Sequence, residues 1–121
     1  MIKPKFFLTD IEETLLLPAL NREGSFSIDD LKKVLTLKKV HAWASNGSIA
    51  ITEFLNFPQE KILNFWLVGG DVKTILKHEP EVSEWAKKQG CSKAQFSGRK
   101  GWFKMLPQYW EKHSIVMKRA L

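Results

Sequence analysis

Few side chains in this sequence are equipped for chemistry. His41, His78 and His113 stand far apart, with no pair at helical spacing and no cysteine at ligand spacing, so no metal-binding set is expected. Ordinary surface histidines are the simpler reading. Cys91 with His113 would make a minimal nucleophilic pair, yet a solitary cysteine entering a strand usually serves as a small buried group. The most pointed arrangement is Gly98-Arg99-Lys100-Gly101-Trp102. Two glycines free the backbone, two cations can hold a phosphate or a partner's carboxylate, and the indole adds contact area. The same five residues also read as a basic turn ahead of a helix.

The charge distribution singles out the same end of the chain. Residues 1–86 hold 10 basic and 12 acidic side chains, whereas residues 87–121 hold nine basic and one acidic, Glu111. The net charge of +6 therefore combines a near-neutral body with a cationic last third that suits an anionic partner. Nucleic acid is one such partner, through counterion release, but no helix-turn-helix or zinc-finger pattern predicts base readout. Among five tryptophans, Trp66 and Trp85 fit core positions, while Trp43, Trp102 and Trp110 are expected at the surface as anchors for another protein.

With 121 residues, 44% of them hydrophobic, the chain can bury one core, which predicts a single domain over residues 1–121. Apolar runs such as Ile62–Gly70 are far too short to cross a bilayer, and the first ten residues lack the apolar stretch of a secretion signal. One cysteine permits no internal disulfide, which points to a reducing compartment.

The elements that must position these groups follow from periodicity. After an extended start at Phe6, Phe7 and Leu8, Thr9 or Asp10 caps a helix burying Ile11, Leu15, Leu16 and Ala19, which Pro18 kinks or ends. Ser27 opens a second helix with Ile28, Leu31, Val34 and Leu35 at helical spacing. Residues 40–45 and 48–56 read as a hairpin around Asn46-Gly47, the dipeptide suited to a type I′ turn. A turn through 57–60 leads to a nearly continuous apolar strand over 61–68, covered on both faces. Gly69-Gly70 ends it, and Asp71 caps a long helix with Val72, Ile75, Leu76, Val82, Trp85 and Ala86 inside and a bend at Pro80. Gly90 stops that helix before a strand over 91–97. A strand, a crossover helix and a strand form a right-handed unit with the two strands parallel. A short helix holding Trp102, Phe103, Leu106 and Trp110 and a last antiparallel strand over 113–118 complete an α/β fold with a mixed sheet.

This order is similar to that of the GNAT acetyltransferases. The segments Phe65-Trp66-Leu67-Val68-Gly69-Gly70-Asp71, Glu79-Pro80-Glu81-Val82-Ser83-Glu84-Trp85-Ala86, Gln89-Gly90-Cys91 and Gly98-Arg99-Lys100-Gly101-Trp102 resemble a family of small GNAT-like proteins encoded by tailed phages and prophages. The resemblance implies an acetyl-CoA site where two parallel strands part, with pantetheine along Phe65–Val68 and pyrophosphate on amides at Gly69–Val72. The cofactor-binding residues it implies are Leu67, Val68, Gly69, Gly70 and Val72. It also implies Tyr109 as the acid that protonates the departing thiolate, and Glu53 as a base toward an amine.

The usual enzyme loop reads Gln/Arg-x-x-Gly-x-Gly/Ala. Here Gly69-Gly70 alone separates the strand from Asp71, whose carboxylate competes for the amides a phosphate would need. The expectation is therefore a GNAT-like protein with a degenerate loop and no required cofactor. It acts as a virion or assembly component through Arg99, Lys100 and Trp102, on other virion or phage proteins or on a second copy of itself, in host cytoplasm or virion. The alternatives are an atypical acetyl-CoA-dependent N-acetyltransferase and a nucleic-acid-binding accessory protein.

Overall fold

Both N-terminal helices begin where a hydroxyl and a carboxylate three residues later cap one another. Thr9 accepts from the Glu12 amide at 3.3 Å while the Glu12 carboxylate accepts from the Thr9 amide at 2.9 Å, and Ser27 and Asp30 repeat this at 3.1 and 3.0 Å. The computed structural model describes residues 2–97, 105–114 and 116–121. Its elements are α1 (Asp10–Glu23), α2 (Ile28–Thr36), β1 (Val40–Ser45), β2 (Ser48–Asn56), β3 (Lys61–Gly70), α3 (Val72–Lys88) and β4 (Lys93–Phe96). The sheet has the order β1-β2-β3-β4, antiparallel from β1 through β3 and parallel between β3 and β4, the mixed α/β arrangement the sequence predicts.

Strand alternation divides the core between two faces. Ala42, Ile49, Ile51 and Leu67 meet Leu16, Ala19 and Leu20 of α1 and Leu31 and Leu35 of α2. On the other face Trp43, Ala50, Leu63, Phe65 and Val68 meet Ile75, Val82 and Ala86 of α3. A β-bulge interrupts the alternation: Ile51 pairs with Leu67 and Thr52 with Phe65, leaving Trp66 as the extra residue. Trp66 and Leu67 consequently both pack on the α1–α2 side.

Several sequence expectations change in three dimensions. Helix α1 runs through Pro18 to Glu23 and closes at Gly24 in the left-handed region, φ 78°. Ile11 is 73% exposed, because it lies roughly 140° around the helix from Leu16 at 3.6 residues per turn. A type I′ loop needs positive φ at both central residues, but Gly47 has it and Asn46 does not. The loop's Gly47 carbonyl lies against Gly70, so a tertiary contact helps set its shape. Strand β3 extends two residues further than expected, because Gly69 and Gly70 pair with Ile49 and Ser48.

Trp43, expected at the surface, is 1% exposed: it points toward α3, and its Nε1 donates to Thr52 Oγ1 at 2.9 Å. Met105–Trp110 forms turns instead of a helix, with the Trp110 amide bonded to the Pro107 carbonyl at 3.0 Å. The expected strand over 113–118 is absent among the described residues. Val116 and Met117 are 79% and 89% exposed, and strands gain stability from pairing and a buried face that these residues lack. Of the expected surface tryptophans, Trp102 lies outside the described residues and Trp110 is partly buried. Among the described residues no helix is long and apolar enough to cross a membrane, and no group of three potential metal ligands occurs.

Candidate functional site

The parallel strands β3 and β4 share a short register. Pairing runs from Ile62 with Lys93 to Phe65 with Phe96, where β4 ends, and past the bulge at Trp66 the residues Leu67–Gly70 continue paired to β2. The resemblance implies a pantetheine along this stretch of β3. On its α3 side Phe65 stacks on Phe96 with centroids 4.3 Å apart, and Trp110 meets Phe96 edge-on at 5.0 Å. The side chains of Leu67 and Val68 are buried in opposite halves of the core.

At the end of β3 the two glycines serve backbone packing. A Cβ on Gly69 would lie 2.2 Å from the Leu15 carbonyl oxygen in α1, and one on Gly70 2.1 Å from the Gly47 oxygen. Gly70 also has φ 83°, which an L side chain adopts at a cost. Beyond them, Asp71 Oδ1 accepts from the Lys73 amide at 3.0 Å, and Oδ2 accepts from Thr74 Oγ1 at 3.2 Å. The Asp71 carbonyl accepts from the Thr74 and Ile75 amides at 3.2 and 3.4 Å and from Ser48 Oγ at 3.0 Å. The helix N-terminus already carries an anion of its own, which leaves the Val72 amide as the remaining first-turn donor among the described residues.

Glu53 sits elsewhere, on the α1–α2 face. With Phe26, Val34, Lys39, Val40 and Trp66 it lines a shallow groove of about 360 Å³, in which Phe26 meets Trp66 edge-on at 4.8 Å. Burial pushes the Glu53 carboxyl above its ordinary value of 4.5, opposed by the hydrogen bond from Asn64 Nδ2 at 3.2 Å. Asn64 is the hub of a polar row across three strands, since its Oδ1 accepts from Gln95 Nε2 at 3.1 Å and Ser97 Oγ at 3.4 Å. A carboxyl with a raised pKa beside an aromatic wall can exchange a proton with a bound amine.

Tyr109 is 69% exposed, and its hydroxyl donates to Glu79 Oε2 of α3 at 3.5 Å. The sheet therefore separates Tyr109 from Glu53, and the structure does not bring these two candidates together. Val72 follows the Asp71 cap and is half-buried against the α3-face core. Arg99, Lys100 and Trp102, the expected partner contacts, lie outside the described residues. Of the other cations in the last third, Lys93 pairs with Glu60 at 2.8 Å, whereas Lys87, Lys88, Lys112, Lys118 and Arg119 are exposed. Cys91 is buried and burial pushes its thiol up, the opposite of an activated nucleophile.

Sequence reasoning missed the bulge, the wall contributed by Phe26 and the role of Asn64. The one available signal was a lone amide inside an apolar strand, since a buried polar group must find partners.

The chain resembles two solved structures throughout its length. One is an acetyltransferase of Trypanosoma brucei, with a TM-score of 0.59 at 12% identity over 100% of this chain and 99% of that one. The other, a protein of Clostridium difficile 630 described as a possible acetyltransferase, gives 0.55 at 10% identity over 100% and 97%. No protein-family model and no curated protein sequence matches. At these identities the likeness shows an acetyltransferase-like fold, and activity has to be argued from the site.

Proposed function

We propose that this acetyltransferase-fold protein works by binding another macromolecule and does not transfer acetyl groups from CoA. The observation that carries this reading is the Asp71 carboxylate seated on the α3 N-terminus, at 3.0 Å from the Lys73 amide, where a pyrophosphate would need to bind. The glycines support it, because their missing Cβ atoms make room for the backbones of α1 and the β1–β2 loop. The aromatic stack where β4 ends supports it as well. The finer version, a virion or assembly component of a tailed phage acting through Arg99, Lys100 and Trp102, rests on sequence resemblance. Mass spectrometry of purified particles tests it, and absence of the protein from every particle stage would remove it.

The direct test is calorimetry with acetyl-CoA. No heat is expected from the wild type up to millimolar ligand, and saturable micromolar binding would overturn the proposal. A second reading, an N-acetyltransferase with Glu53 as base, is favoured by the raised carboxyl in its aromatic groove. It requires acetyl-CoA binding and an amine-dependent release of CoA thiol that Glu53→Gln abolishes.

A further inference from the structure

We propose that Ser45, His78 and Glu81 form a nucleophilic site able to cleave small carboxylic esters, on the opposite face of β1 from the Glu53 groove. The three residues are remote in sequence or unremarkable in spacing, and the fold assembles them. Ser45 ends β1, and strand alternation turns its side chain toward α3, with His41 and Trp43. There its Oγ lies 2.9 Å from His78 Nε2. His78 Nδ1 faces Glu81 Oε1 at 3.9 Å, one helical turn further along α3, and Glu81 Oε2 accepts from the Ile2 amide at 3.2 Å.

This is the ordering of a serine nucleophile, an imidazole base and a carboxylate that orients the base. The proposal requires the tautomer in which Ser45 Oγ–H donates to Nε2 and the imidazole proton resides on Nδ1, toward Glu81. The Nδ1 separation exceeds hydrogen-bond length, which is common in sites without substrate. Ser45 and His78 are each partly exposed, and Ser45 with its neighbours Ala44, Asn46 and Gly47 borders an open groove of about 400 Å³ toward α1. The loop that follows carries the Asn46 and Gly47 amides, which make no hydrogen bond among the described residues, and the proposal assigns the developing oxyanion to them.

The chemistry balances without a cofactor. Ser45 Oγ bonds to the ester carbonyl carbon as its proton passes to His78 Nε2, and the carbonyl electron pair moves onto oxygen. Collapse breaks the carbon–alkoxide bond, and the leaving alcohol takes the proton from His78. Water then attacks the acyl-serine, giving its proton to His78, and the acid departs as Ser45 regains that proton. Ester and water become acid and alcohol. In this scheme Ser45 and His78 are catalytic residues and Glu81 is a positioning residue.

A fluorophosphonate probe tests the site on the intact chain, with p-nitrophenyl acetate as a turnover substrate. Expected is one equivalent of label on the Ser45 peptide, none in Ser45→Ala, and a rate lowered by about 100-fold or more in His78→Gln, since such bases contribute 10²–10⁴-fold. Glu81→Gln should slow labelling by about tenfold with an unchanged melting temperature, a pattern a packing role would not give. Absence of label from the folded wild type overturns the proposal, as does equal labelling of Ser45→Ala. Melting curves of each variant separate lost chemistry from lost folding. Because the site does not involve the β3–α3 corner, calorimetry with acetyl-CoA leaves this test unaffected.

Discussion

The corner at Gly69–Asp71 and the groove at Glu53 lie on the same central strands, and each presents a carboxylate, yet they differ in how its lone pairs are used. Asp71 holds a backbone amide and a hydroxyl of its own helix and sits between close-packed backbones. Glu53 has one amide partner, is half-buried and carries a raised pKa. A carboxylate whose hydrogen bonds are met within the first turn of a helix is part of the scaffold. One that burial has left short of partners remains available for proton exchange or for a cationic ligand.

That contrast can be broken or sharpened by measurement, beginning with the largest effect. Gly69→Ala should cost about 3 kcal/mol or more in urea unfolding, since α1 backbone rather than a flexible side chain blocks the new methyl. A cost near zero would return the glycines to ligand binding. His41 provides a titration on the opposite face. It is 5% exposed among Phe54, Trp85 and Thr52, and burial lowers its pKa from 6.5 to about 4. Because the folded value lies below the unfolded one, the unfolded state takes up the proton first. Stability is complete above about pH 6.5 and falls by about 3 kcal/mol as pH drops to 4, a slope that His41→Gln should remove.

Asp71→Ala should cost about 1 kcal/mol, the usual loss for a helix N-cap, and should still give no heat with acetyl-CoA if close packing also closes the corner. Heat appearing only in that variant would make the carboxylate the sole obstacle. Glu53→Gln should change stability least. The raised pKa means that ionised Glu53 opposes folding, so the neutral amide should be slightly stabilising at pH 7 and lose that advantage below about pH 4.5. Destabilisation at pH 7 would instead class Glu53 with Asp71 as scaffold.

Local chemistry was legible directly. Thr9-x-x-Glu12 and Ser27-x-x-Asp30 specify their own helix starts, and the alternation around Asn46-Gly47 specifies β1 and β2 to the residue, because these signals act within a few positions. Ile11, Trp43 and the segment over 113–118 were misread, since burial depends on which neighbours a face finds. The bulge at Trp66 and the hub at Asn64 were not legible, because cross-strand register is a long-range property.

By itself the sequence determined the order of the first seven elements, the parallel placement of the fourth strand, and the Asp71 cap at the start of α3. All three follow from hydrogen bonding and sterics between near neighbours in the chain. The tertiary structure alone decided what Gly69 and Gly70 are for, which face carries Glu53, and that Ser45 meets His78 across 33 residues. Those outcomes depend on close packing of distant backbones, and no local signal encodes a contact before the chain has closed on itself.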